Sequence, residues 1–278
     1  MPSCYHLYKV RAKSKATRFD RDVVHACYLL TMENSSRTGR AIEEFQKHGL
    51  TPELIVQVNK GYKQCAKANL YSNNPAYDLA HALRHVFQDA LDKRFERILV
   101  LEDDFFFEKP LAPDTVHEIQ TFLRDSNPHV YNLGYTCLSP PWDTFNSHPN
   151  CLITLAAHAV IYNSEYMRYV LSLTEQDWRH HNGAVDQVWH RRGIRRHSYK
   201  EPLVFQPVTA TDNARANRSP LMHYFYNMIG IYDKGTTNTQ GHWRYYFLSR
   251  HLFLLGAGLV LLVVVIMIVV VMKLIRVA

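Results

Sequence analysis

Residues 98–107 read ILVLEDDFFF: four apolar residues run straight into Glu102, Asp103 and Asp104, and three phenylalanines follow. A short continuous apolar run predicts a strand buried on both faces, as in a parallel sheet covered by helices. The acids then stand at its carboxyl end, where open α/β sheets bind their ligands. Three adjacent carboxylates among aromatic surface repel one another unless protons or a cation intervene. A hard divalent ion with oxygen ligands, Mn2+ or Mg2+, suits them, and a diphosphate suits such an ion. The alternative is a solvated acidic turn after a strand.

The flanking chain alternates in the same sense. Residues 23–31 and 54–58 read as strands, 37–48 as an amphipathic helix closed by Gly49, and Pro75 opens a helix with apolar positions at near-helical spacing. Beyond the acids, a helix is predicted to about residue 124 and a strand over 130–135. An extended stretch over 152–162, helices over 164–173 and 183–190, and a late strand over 202–207 follow. Strands alternating with helices predict an α/β sandwich with a mostly parallel sheet.

Residues 252–272 are almost purely apolar, and at ~1.5 Å per residue a helix there spans ~30 Å, which predicts a transmembrane helix. The basic N-terminus lacks a signal-peptide h-region. The expected organisation is a basic segment over 1–21, a domain over 22–235, a juxtamembrane linker over 236–251, the span and a tail over 273–278. A single-pass tail anchor with the domain in the cytosol follows. Five cysteines without CxxC or framework spacing are read as unpaired, which fits a reducing compartment. Sequons at Asn34 and Asn217 are then coincidental. The net charge of +7 gathers near the N-terminus and over 190–197. Such runs near an anchor suit anionic lipid or a solvated face. Nucleic acid is not expected as a partner, since no recognisable module accompanies them.

A strand ending in acids after two βα units resembles the nucleotide-sugar-binding half of the GT-A glycosyltransferase fold, which is Rossmann-like and holds a metal on a D-x-D-like motif. The string VLEDD resembles the family 25, lipooligosaccharide-type glycosyltransferases, and related proteins of large DNA viruses and algae. The likeness runs over 27–213, through YLLTMENSSR, NKGYKQC, YDLAHAL, ILVLEDDFFF, HAVIY and FQPVTATDN. Arg37 is the counterpart of a double arginine in the bacterial pattern. His81 is what remains of a Gly-Cys-x-x-Ser-His segment.

This resemblance implies a metal-dependent glycosyltransferase that moves a sugar from a nucleotide-sugar donor to a hydroxyl of a glycan, lipid or protein. The other readings are an inactive relative that binds a nucleotide or glycan, and a different metal-dependent phosphotransfer or hydrolytic enzyme. Residues two apart on an extended chain share a face, so Glu102 and Asp104 are the expected metal ligands, with Asp103 supporting or meeting the donor. His158 and His223 are candidates for a third ligand. Asp186 matches the place of an acceptor-side acid and is the general-base candidate, against the alternative of a helix N-terminal acid. Donor contacts are expected from Thr31, Met32 and Arg37 after the first strand, and from Asn59, Lys60, Gly61 and Tyr62 after the second. Asp78 and His81, one turn apart, are expected to face the same site, with a core histidine as the alternative for His81. Gln206 is placed in the acceptor cleft, or else caps a turn.

Overall fold

The computed structural model describes residues 3–13, 18–134, 137–154, 157–207 and 239–277. Within the last helix, the side chains of 249, 252–254, 257, 260 and 268–277 lie outside the described set. Among the described residues seven strands form one sheet: β1 (Tyr5–Arg11), β2 (Ala26–Met32), β3 (Glu53–Asn59), β4 (Arg97–Glu102), β5 (Val130–Asn132), β6 (Ala159–Asn163) and β7 (Arg196–Ser198). Their order is β1-β3-β2-β4-β6-β5-β7.

The helices α1 (Thr38–His48), α2 (Pro75–Asp92), α3 (Pro113–Ser126) and α4 (Ser164–Ser172) cover the sheet. Period-two alternation sorts the strand side chains between two cores. Cys27, Leu29, Leu99 and Leu101 pack with Phe45 of α1 and Ile119 of α3. Tyr28, Leu30, Ile98 and Val100 pack with Phe87 of α2 and Met167 of α4 on the other face. The central strands are therefore apolar on both sides, which is why they read as continuous runs. Gly49, at φ 60°, ends α1 in the left-handed conformation and returns its N–H to the Phe45 carbonyl.

The sheet is mixed, which corrects the expected mostly parallel one. β2 runs parallel to β3 and to β4, and β5 to β7. β1 is antiparallel to β3, and β6 is antiparallel to both β4 and β5. The parallel trio β3-β2-β4 is thus the part whose carboxyl ends open on a common crevice.

Three local expectations also change. Residues 202–207 form no strand, and Phe205 makes only a bridge with Phe106, while Arg196–Ser198 takes the edge beside β5. The helix expected over 183–190 is reduced to α6 (Val185–Val188), and α5 (Glu175–His180) precedes it. Gly183 lies between them at φ +71°, where an added Cβ would stand 2.6 Å from the Tyr77 ring. Finally, four of the five cysteines are paired, as Cys4–Cys65 and Cys137–Cys151, leaving Cys27 free and buried. Pairing across 61 residues is created by the sheet, since β1 lies antiparallel to β3, and spacing alone does not reveal it.

The apolar stretch over 252–272 falls in α7 (Gln240–Val277). Its described members Leu255, Leu259, Leu261, Leu262, Val263, Val264, Val265, Ile266 and Met267 are exposed. Among the described residues no helix is long and apolar enough to cross a membrane.

Candidate functional site

A cleft of about 570 Å³ opens beyond the carboxyl ends of β2, β3 and β4. Thr31 and Met32 from the end of β2, Asn59 from β3, Glu102 and Asp103 from the end of β4, and Arg37 before α1 all line it. The parallel register sets Leu30 opposite Glu102 and Thr31 opposite Val58, so these strand ends converge. The loop after β3 contributes Gly61, Tyr62, Lys63 and Gln64, and α2 contributes Asp78, Leu79 and Ala82.

The acids are held individually. Arg37 Nη2 meets Asp103 Oδ1 at 2.8 Å, and its Nη1 stands 3.6 Å from Asp104 Oδ2. Thr31 donates its hydroxyl to Asp103 Oδ2 at 2.7 Å. Gln206 donates its side-chain amide to Asp104 Oδ2 at 2.7 Å. The other oxygen, Asp104 Oδ1, is buried and has no hydrogen-bond partner among the described residues.

Glu102 shares the parity of Ile98 and Val100, which directs it to the α2–α4 side of the sheet. Burial pushes its carboxyl up to about 8, and the charges of Asp104, Asp103 and Asp186 push the same way while Arg37 opposes them. Burial likewise raises Asp104, offset by the Gln206 hydrogen bond and by Arg37. Asp186, in the first turn of α6, thus acts electrostatically on Glu102 from an element remote in sequence.

The remaining expected residues divide. Asn59 donates its side-chain amide to the Thr31 carbonyl at 3.0 Å and so ties β3 to β2 beneath the cleft. Asp78 lines the cleft but is already engaged: Lys67 donates to its Oδ1, and the Tyr62 backbone N–H reaches its Oδ2 at 3.3 Å. Lys60 stands outside the lining, 3.9 Å from Glu33, and Lys63 occupies the place assigned to it. His81 is also outside the lining. Its Nδ1 pairs with the Tyr5 hydroxyl at 2.5 Å and its Nε2 with the Ala68 carbonyl at 2.8 Å, so both nitrogens of this half-buried ring are engaged within the fold.

His158 is buried next to the acids, and the Glu102 backbone N–H donates to its carbonyl. Its Nε2, however, bonds the Val204 carbonyl at 3.0 Å, which takes that nitrogen from metal ligation. His223 lies outside the described residues. Gln206 sits at the acids and orients Asp104; its own carbonyl accepts from His242 of α7 at 2.9 Å. Lys63, Gln64, Lys67 and His242 were not singled out from sequence. The basic, aromatic string NKGYKQC was the available signal for the first two.

An unpartnered buried Asp104 oxygen and a Glu102 whose charge is opposed by three other acids would each be relieved by a nearby positive charge. Among the described residues no group of three or more His, Cys, Asp or Glu side chains is arranged to hold a metal. Two carboxylates with water and a substrate phosphate is the usual donor set for Mg2+ in phosphate chemistry.

No family model matches this chain. No curated protein matches it either, so the family 25 resemblance has no support from these comparisons. Among solved structures, the chain is similar to one described as the crystal structure of A197 from STIV. The identity is 9% and the TM-score 0.42, over 66% of this chain and 86% of that one. It is also similar to the crystal structure of a glycosyltransferase involved in the glycosylation of the major capsid of PBCV-1. There the identity is 16% and the TM-score 0.35, over 68% of this chain and 96% of that one. At TM-scores this low neither likeness decides the chemistry.

Proposed function

We propose that this chain is a glycosyltransferase of GT-A-like architecture that moves a sugar from a nucleotide-sugar donor to an acceptor hydroxyl, with Mn2+ or Mg2+ held by Glu102 and Asp104. The observation that carries the reading is the buried, unpartnered Asp104 Oδ1, next in sequence to a cleft lined by Glu102, Asp103, Arg37, Lys63 and Tyr62; Asp104 itself stands outside that lining and shares Arg37 with Asp103. Bound there, the cation would offset the charge of the departing diphosphate.

This chain's own groups supply the rest. Arg37 and Lys63 offer donors to phosphate oxygens, and Tyr62 offers a ring face to the base. Gln206 holds one Asp104 oxygen and leaves the other, Oδ1, which would meet the cation. Asp186, whose charge bears on Glu102, is the carboxylate assigned to take the acceptor proton. The acceptor, whether glycan, lipid or protein, is reached from the open side of the cleft. The exposed apolar side chains of α7, from Leu255 to Met267 among those described, support attachment to a membrane through this helix. The paired cysteines withdraw one support for a cytosolic domain, because disulfides persist in oxidising compartments.

Arg37 favours a second reading. Its guanidinium already pairs with Asp103 and Asp104, so a transferase that uses this cation in place of a metal fits the same residues.

The test is release of nucleoside diphosphate from a panel of nucleotide sugars, with Mn2+ or with a chelator, by the intact chain and by Asp104→Ala. Metal-dependent release that is lost in Asp104→Ala is expected. Release unaffected by chelator selects the Arg37 reading, and no release with any donor and acceptor rejects both.

A further inference from the structure

The loop closed by Cys137–Cys151 carries a feature that the cleft does not use. A 3-10 turn at Pro141–Asp143 presents Trp142 at 86% exposure, and Phe145 follows at 81%. Leu152 and Ile153, just past the disulfide, are exposed as well. Large aromatic side chains are costly to leave in water, and two of them at the tip of a cross-linked loop form a presented surface.

That surface lies at the root of the apolar part of α7. Arg250 is buried and donates to the carbonyls of Thr144, Asn146 and Lys200 at 2.7–2.8 Å, and to the Tyr246 hydroxyl at 2.7 Å. The Ser139 hydroxyl reaches the Arg250 carbonyl in return at 3.5 Å. The next residue, His251, stacks on Phe247 at 4.4 Å between ring centroids and meets the Phe145 ring edge at 6.1 Å. Phe247 is itself exposed. Trp142, Phe145 and Phe247 thus form a collar around the point from which the exposed apolar face of α7 continues, starting with Leu255 among the described side chains.

We infer that this collar is a membrane seat, in which Trp142 and Phe145 enter the headgroup region of a phospholipid bilayer beside α7. Aromatic side chains, Trp above all, concentrate at that depth because an apolar body and a polar edge are both satisfied there. Arg250 locks the helix to the domain, so the seat fixes how the cleft is presented to the bilayer. The inference rests on the membrane attachment proposed above, and it does not require α7 to cross.

The full chain is to be reconstituted with phosphatidylcholine vesicles, with and without brominated acyl chains, and its tryptophan emission compared with that of Trp142→Phe. Trp178 and Trp189 are buried in the domain, and the half-buried Trp243 of α7 is common to both chains, so the difference between them reports Trp142. Loss of emission in brominated vesicles is expected, smaller in Trp142→Phe and recovered when Phe145→Trp is added to it. Vesicle binding with equal quenching in the chain and in Trp142→Phe overturns the seat while leaving attachment through α7 standing. Failure to float with vesicles overturns both. Shielding of Trp142 from iodide that grows with protein concentration, without lipid, assigns the collar to a second copy and also overturns the seat.

Discussion

One guanidinium, that of Arg37, bridges two neighbouring acids: it stands 2.8 Å from Asp103 Oδ1 and 3.6 Å from Asp104 Oδ2. It reaches them from the turn before α1, and almost half of its surface faces solvent. Arg37→Gln leaves the buried Asp103 and Asp104 without their cation and is expected to lower stability by about 1–3 kcal/mol, the exposure of the guanidinium keeping it below the cost of a fully buried pair. It should raise the KM for donor and lower kcat/KM by a larger factor, since the phosphates lose a bidentate partner. Thermal melts beside donor-dependent kinetics check both parts. A large loss of stability with unchanged kinetics rejects the role.

Asp186, from an element remote in sequence, raises the Glu102 carboxyl by its charge. If it takes the acceptor proton, Asp186→Asn lowers turnover by roughly 10²–10⁴-fold, the usual scale of general-base contributions, and leaves donor affinity unchanged. Donor binding measured by calorimetry next to turnover separates this from a binding role, in which both would fall together.

Cys65 closes the loop that places Tyr62, Lys63 and Gln64 in the cleft, and its bond to Cys4 ties that loop to the sheet edge. Cys4→Ser with Cys65→Ser should cost about 2–4 kcal/mol. It should also weaken donor affinity more than turnover, because the loop binds and does not react. Denaturation midpoints and the separate changes in KM and kcat are the measurements.

His148 is packed against Phe122 at 4.2 Å between ring centroids and accepts from or donates to the Tyr131 hydroxyl at 2.7 Å. Burial pushes its imidazole down to about 4. The unfolded chain takes up this proton below about 6.5 and the folded chain only near 4, so stability present above the unfolded value is lost as pH falls through that window. His148→Asn should flatten the dependence by on the order of 1–2 kcal/mol between about pH 7 and about pH 5, less than the full pKa difference because solvent screens part of the ring. Urea unfolding of both chains at the two pH values tests the slope, whatever the substitution does to absolute stability.

The centre of this fold was legible because its strands are apolar on both faces. A buried run such as 98–101 admits few alternatives, and the acids that end it then point to the crevice. α1 and its Gly49 stop were equally plain. The edges were not. Residues 5–11 place His6, Lys9 and Arg11 among apolar neighbours and read as a basic tail, while Arg196–Ser198 is three polar residues inside a basic run; each becomes a strand only because a neighbour offers an unpaired edge. The site was legible where consecutive residues share it. It was hidden where partners come from afar, as with Gln206, 102 residues from Asp104, or Lys67, whose buried ammonium pairs with Asp78.

The antiparallel pairing of β1 along β3 has a consequence for association between chains. Without it, β3 (ELIVQVN) would present a flat, apolar outer margin with open amide and carbonyl groups, a template for strand addition by another copy. β1 satisfies that margin and substitutes an outer one bearing Lys9 and Arg11, where an approaching identical strand meets like charge. A chain begun after Arg11 would therefore keep its cleft residues and still be prone to aggregate.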